Sequence, residues 1–119
     1  MSERSNLCDF MTEADVQKFL AQAQSYQQQM QLMTGQKEAL NMQILETNKA
    51  LEELSKPDKE DVYKITGPIL VKVSREDAKK DLKSKKEVAM LRLKTVEKSE
   101  AGIKQKLEEL KQKLEKSGV

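Results

Sequence analysis

Apolar side chains recur with a seven-residue period in two stretches of this chain, about residues 13–54 and 77–116, and the period breaks between them. In the first stretch one row is Val16, Ala23, Met30, Lys37, Ile44 and Leu51. The row three residues on is Phe19, Tyr26, Met33, Leu40, Thr47 and Leu54. Only Lys37 and Thr47 depart from apolar character among these twelve positions, so the spacing predicts a helix with a narrow coiled-coil seam. The second stretch carries Leu82, Ala89, Val96, Ile103 and Leu110 in one row, with Leu93, Leu107 and Leu114 in the other. Lys79, Lys86 and Glu100 interrupt that second row, which makes this helix the weaker seam partner in places.

Start and stop signals bound both helices. Thr12-Glu13-Ala14-Asp15 places a hydroxyl where it can cap the amide near Asp15, and Ser74-Arg75-Glu76-Asp77 repeats the pattern. Ser55-Lys56-Pro57-Asp58 ends the first helix, because proline lacks an amide hydrogen and restricts its predecessor. The expected organisation is one unit over 1–119: a tail over 1–12, a helix over 13–55, a linker over 56–61, a β-hairpin over 62–73 and a helix over 75–117.

The hairpin expectation rests on Val62-Tyr63-Lys64-Ile65-Thr66-Gly67-Pro68-Ile69-Leu70-Val71-Lys72-Val73. Gly67-Pro68 suits a two-residue type II′ turn, which needs glycine at its first central position. Such a turn pairs Thr66 with Ile69, Ile65 with Leu70, Tyr63 with Lys72 and Val62 with Val73. Val62, Thr66, Ile69, Val71 and Val73 then share one face, and Tyr63, Ile65 and Leu70 the other. A lone hairpin is marginal in water, and one apolar on both faces is worse. Val62, Tyr63, Ile65, Ile69, Leu70, Val71 and Val73 are therefore expected to mediate oligomerisation, with the strand edges paired to other chains.

A chain that runs out, turns tightly and runs back can fold its two helices together as an antiparallel coiled coil. Centring the turn near Gly67 sets Tyr26 beside Leu107, Met30 beside Ile103, Leu40 beside Leu93 and Phe19 beside Leu114. It also brings the polar Thr47 near Lys86. A slip of one heptad opposes Leu40 with Glu100 instead, which makes it the poorer register.

Composition narrows the function. Hydrophobic residues make up 37% and charged residues 35%, and tryptophan is absent, which suits a helical seam better than a thick core. From residue 74 onward 14 Lys or Arg stand against 9 Asp or Glu, whereas the preceding part has 8 against 11. The basic positions Lys79, Lys80, Lys83, Lys85 and Lys86 alternate with acids and lack an aromatic stripe, so they read as a solvated helix face rather than a nucleic-acid site. Histidine is absent and Cys8 is the single cysteine, which leaves no Cys/His metal site and no internal disulfide. Cys8 reads as an exposed thiol on an irregular tail. No catalytic constellation, phosphate loop, cofactor site, signal pattern or spanning segment is present, so a cytoplasmic non-enzyme is expected.

Asp61 through Val73 resembles the Val-Tyr-Lys-x-x-Gly-Pro-x-Leu-x-Lys signature of β-class prefoldin subunits, archaeal or eukaryotic. The flanking segments, Ile44 to Leu54 before it and Lys85 to Lys98 after it, are similar to the helices that enter and leave that hairpin. The resemblance covers roughly residues 14–116, and the single hairpin matches the β class rather than the α class, which carries two. It implies a mainly α fold of two long antiparallel helices joined by one hairpin that enters an oligomeric β-barrel platform. It further implies a heterohexamer of two α-class and four β-class subunits that holds unfolded clients without ATP and delivers them to a group II chaperonin. Client contact at the free ends then falls to Phe10, Met11, Val16, Phe19, Leu20, Leu107, Leu110 and Leu114. Set against this is a structural or tethering coiled coil dimerising in parallel, which Pro57, Gly67 and Pro68 oppose because no continuous helix crosses them.

Overall fold

In the computed structural model, residues 12–57 and 61–116 are described. Cys8, Phe10, Met11, the middle of the 56–61 linker and the last residue of the expected 75–117 helix lie outside them. The element order is α1 (Glu13–Ser55), β1 (Val62–Thr66), β2 (Ile69–Val73) and α2 (Arg75–Lys116). The chain is thus mainly helical, with two long helices and one two-stranded antiparallel hairpin.

Both helices begin with satisfied amides. At α1 the Asp15 amide donates to Thr12 Oγ1 at 3.1 Å while the Thr12 amide donates to Asp15 Oδ2 at 3.2 Å, a reciprocal cap. At α2 the Asp77 amide donates to Ser74 Oγ at 3.1 Å.

Burial along each helix follows the heptad rows. Every one of the twelve seam positions read in α1 is buried or half-buried, including Lys37 and Thr47. In α2 the same holds for Leu82, Ala89, Leu93, Val96, Ile103, Leu107, Leu110 and Leu114, and for the polar Lys79, Lys86 and Glu100. Thr47 is accommodated because its hydroxyl donates to the Gln43 carbonyl oxygen at 2.7 Å, so its burial leaves no unpaired donor. The seam is thin: among the described residues only Ala89, Ile103, Leu110 and Thr47 are buried.

The contacts group into two compact units, one of Met1–Gln36 with Val96–Val119 and one of Lys37–Thr95. In the first, here the terminal unit, Lys106 Nζ stands 5.9 Å from the centre of the Tyr26 ring. That contact lies one residue from the expected Tyr26–Leu107 pairing. The slipped register would have set Tyr26 beside Leu114.

The second, the hairpin unit, holds both strands. Val62 pairs with Val73, Tyr63 with Lys72, Lys64 with Val71, Ile65 with Leu70 and Thr66 with Ile69, as a Gly67-Pro68 turn requires. Gly67 has φ +59, and no other described residue has positive φ, which fits type II′ and excludes type I′. Arg75 fastens the hairpin unit at its helical base. Its Nη1 donates to the carbonyl oxygens of Leu54 at 2.8 Å and Lys56 at 3.2 Å. The end of α1 thereby gains a cationic cap from the start of α2.

Candidate functional site

Two surfaces carry chemistry, one in each unit. In the hairpin unit the strands expose apolar side chains on both faces. Ile65 is 76% exposed, Leu70 65%, Ile69 59%, Tyr63 54% and Val71 41%. Val62 and Val73, the outermost pair of the ladder, are half-buried instead. They line a cleft of about 550 Å³ with Ala50, Leu54, Ala78 and Leu82. Four consecutive residues of β1, Val62 to Ile65, border that cleft, whereas β2 contributes Val73. The cleft therefore runs along the edge of β1 that does not face β2.

An ion network pins this edge to α2. Asp81 Oδ2 accepts from Lys85 Nζ at 3.2 Å and lies 3.5 Å from Lys64 Nζ. The hydrogen bond from Lys85 holds the Asp81 carboxyl below its ordinary range, helped by the Lys85 and Lys64 charges and opposed by partial desolvation. Lys72 and Asp61, 3.4 Å apart, tie β2 to the start of β1. These pairs are exposed and orient the hairpin more than they stabilise it.

The terminal unit holds a groove of about 360 Å³. Its floor is Ala23 from α1 with Leu107, Leu110 and Leu114 from α2; Gln27 walls one side, and Lys104, Glu108 and Lys111 the other. Ala23 is the smallest side chain of the floor. Leu110 is the most enclosed floor residue, at 6% exposed, while Leu107 and Leu114 are half-buried. Of the other candidate tip residues, Val16 and Phe19 are half-buried in the α1 seam, and Leu20 is 55% exposed beside it. The structure thus brings Leu107, Leu110 and Leu114 together in one groove and leaves Leu20 on the open flank.

Residues the sequence reading missed include the walls Gln27, Lys104, Glu108 and Lys111, and the exposed apolar residues Leu32, Met42, Leu45, Val88, Met90 and Leu91. The walls follow from antiparallel pairing. Positions next to the seam, Gln27 on one helix and Lys104 and Lys111 on the other, meet across the same flank. Among the described residues no helix is long and apolar enough to cross a membrane.

Comparison with known proteins places these features in a family. Residues 17–117 match the family described as Prefoldin subunit. Prefoldin subunit beta of Pyrococcus abyssi (strain GE5 / Orsay) is 42% identical over 101 residues, covering 84% of this chain and 86% of that protein. Prefoldin subunit beta of Thermococcus kodakarensis is 42% identical over 96 residues, covering 80% and 82%. Among solved structures, the prefoldin beta subunit from Thermococcus strain KS-1 superposes with a TM-score of 0.76 at 39% identity, covering 85% of this chain and 89% of that one. The prefoldin beta2 subunit of the same strain shares the fold with a TM-score of 0.70 at 18% identity.

Proposed function

This chain belongs to the prefoldin family, in its β-subunit class, and from that premise we propose that it is an arm of a nucleotide-independent holding chaperone. Membership places it in a chaperone family whose subunits work in a complex with one another. The proposed complex is a cytoplasmic hexamer of two α-class and four β-class subunits, with this chain supplying β positions. Its hairpin would enter a shared β-barrel platform through Val62, Tyr63, Ile65, Ile69, Leu70, Val71 and Val73. Five of these are exposed on both faces of a two-stranded sheet, a state that strands leave by pairing and burial. The cleft along the β1 edge gives a neighbouring strand room to dock.

Client capture is assigned to the terminal unit. The observation that carries it is the apolar-floored groove of Leu107, Leu110 and Leu114 beside Ala23; Val16, Phe19 and Leu20, and Phe10 and Met11 outside the described residues, are proposed to add to the contact. Apolar contact without fixed geometry suits a partner of no fixed shape. No ATP is involved in the proposed cycle, and the held polypeptide passes to a group II chaperonin.

The test assembles the chain with its prefoldin partners and removes residues 1–19 and 108–119 from every copy. The expected particle keeps its mass but no longer suppresses aggregation of a chemically denatured client. Full suppression by assembled, truncated particles would move capture away from the terminal unit.

A further inference from the structure

The hairpin unit exposes apolar side chains well away from its strands: Met42 and Leu45 on α1, Val88 and Leu91 on α2. The seam does not account for them. Met42 stands two residues from both Leu40 and Ile44, and Leu91 two residues from both Ala89 and Leu93, which puts each opposite the seam rows of its own helix. Ala50 and Leu54 line one cleft with Ala78 and Leu82, so the helices run side by side here, and the two patches fall on opposite outer faces. Their heights match. Met42 and Leu45 lie about 20 and 15 Å from the Ser55 end of α1, and Val88 and Leu91 about 20 and 24 Å from the Arg75 start of α2, at roughly 1.5 Å per residue.

The charges around the two patches are opposite in sign. Residues 38–53 of α1 hold four acidic side chains and one basic, whereas residues 80–95 of α2 hold six basic and two acidic. Glu38 and Glu46 stand one turn before and after Met42. Arg92 stands one turn after Val88 and Lys94 one turn after Leu91, with Glu87 the acid on that face. Glu38, Glu46, Arg92 and Lys94 are exposed, and among the described residues none of the four joins an ion pair. Thr95, next along the α2 face, donates its hydroxyl to the Leu91 carbonyl oxygen at 3.1 Å, so covering it leaves no unpaired donor.

We propose that the acid-rimmed α1 patch of one copy docks against the base-rimmed α2 patch of a second copy of this chain, so that neighbouring arms brace each other beside the platform. The inference rests on the platform proposed above and adds a lateral interface between helices. Charge selects the geometry. Like patches facing each other would set Glu38 and Glu46 against their own counterparts, or Arg92 and Lys94 against theirs, and like charges across an interface are costly. Unlike patches on opposite faces of each arm give a head-to-tail contact, the kind that closes into a ring. Size sets the condition. Two apolar side chains from each copy fall far short of the roughly 1,200–2,000 Å² that a free-standing interface buries. The contact therefore forms between arms already held by their hairpins, where the tether supplies the effective concentration.

The experiment assembles the full chain with its prefoldin partners in a Cys8→Ser background. Chains carrying Met42→Cys are mixed with chains carrying Leu91→Cys, and the particle is treated with a short bis-maleimide. A link between the two different cysteines is expected, far in excess of links between like ones. Reversing charge on one face, by E38K with E46K or by R92E with K94E, should lower that link about threefold, as rim charges do. Combining all four reversals should restore it, because the signs match again. A particle of full mass that gives no mixed link, or gives like links equally, overturns the proposal and leaves the platform standing. So does a fourfold variant that stays as low as the two-site ones. A mixed link that forms only after unfolded client is added assigns these faces to client and overturns the bracing as well. Failure of the unsubstituted chain to enter any particle defeats the platform reading, and the bracing with it.

Discussion

Glycine to alanine is the same chemical change at three positions of this chain, yet the structure assigns it opposite signs. A Cβ built at Gly35, Gly67 or Gly102 meets nothing within 4 Å, so steric clash is absent throughout and backbone conformation alone decides. Gly35 and Gly102 lie inside α1 and α2 on exposed faces, in backbone without positive φ. Each costs helix stability of about 1 kcal/mol relative to alanine, because the folded helix must freeze a more mobile backbone. Gly35→Ala and Gly102→Ala should each raise the melting temperature by roughly 3–6 °C for a chain of this size, and together by about twice that. Gly67, at φ +59, is the counterexample. An L-residue forced there costs about 1–2 kcal/mol, concentrated in the hairpin proposed to carry assembly. Gly67→Ala should leave the helical signal of the free chain nearly unchanged and weaken assembly by roughly 5–30-fold per hairpin. Circular dichroism melts of the three variants, with native mass measured across a dilution series, read both effects. A lowered melting temperature for Gly35→Ala or Gly102→Ala would refute the reasoning, since it would mean that glycine there answers a requirement other than local backbone freedom. So would unimpaired assembly by Gly67→Ala.

The remaining predictions separate the hairpin unit from the seam. Replacing Arg75 by Met removes the cation that caps Leu54 and Lys56; hydrogen exchange should quicken around residues 51–57, with a stability loss of about 1.5–3 kcal/mol. Replacing Ile69 and Val71 together by Lys should disperse the oligomer while helical content persists, which native mass and circular dichroism check; helix melting in step with dissociation would show that the helices depend on the platform. For Asp81 the folded pKa lies below the ordinary 3.8, through the Lys85 hydrogen bond first. Its stabilisation is therefore present above that ordinary value and is lost as pH falls through the lower folded one. Asp81→Asn should melt earlier than wild type at neutral pH, with the difference closing in acid; a difference that persists undiminished in acid would assign the effect to packing.

How much of this was legible in the sequence depends on how local each cause is. The seam rows were readable because a seven-residue period is a property of one helix, and the burial of every expected α1 position follows from it. The hairpin register was equally local, since Gly67-Pro68 fixes which residues face each other. Arg75 was harder. It sits in a capping motif of its own helix, and its observed partners are Leu54, in the last turn of the previous helix, and Lys56, just past its end. The groove was harder still, because it exists only after two seams have met. Ala23 reads as an ordinary small seam residue until Leu107, Leu110 and Leu114 stand across from it. Antiparallel register carries that information, but a list of apolar residues near the chain ends did not. It ranked Leu110 with Leu20, although one is 6% exposed and the other 55%.

That contrast bears on how such an arm divides its tasks. Two helices sharing one seam cannot enclose large side chains, and only three apolar residues among those described are buried. The thin core has a benefit for the proposed holding function: half-buried floor residues such as Leu107 and Leu114 are accessible without unfolding, since the seam never covered them fully. It also has a cost, because the same geometry leaves the hairpin without any layer above it. Ile65, Ile69 and Leu70 remain more than half exposed in the single chain. Burial that the coiled coil cannot supply must come from other subunits, at about 25 cal/mol for each Å² of apolar surface covered. The proposed assembly and the proposed capture thus draw on the same apolar effect in two different units. What distinguishes them is direction: the strands offer fixed ladder edges that specify a partner, while the groove offers an apolar floor without a ladder.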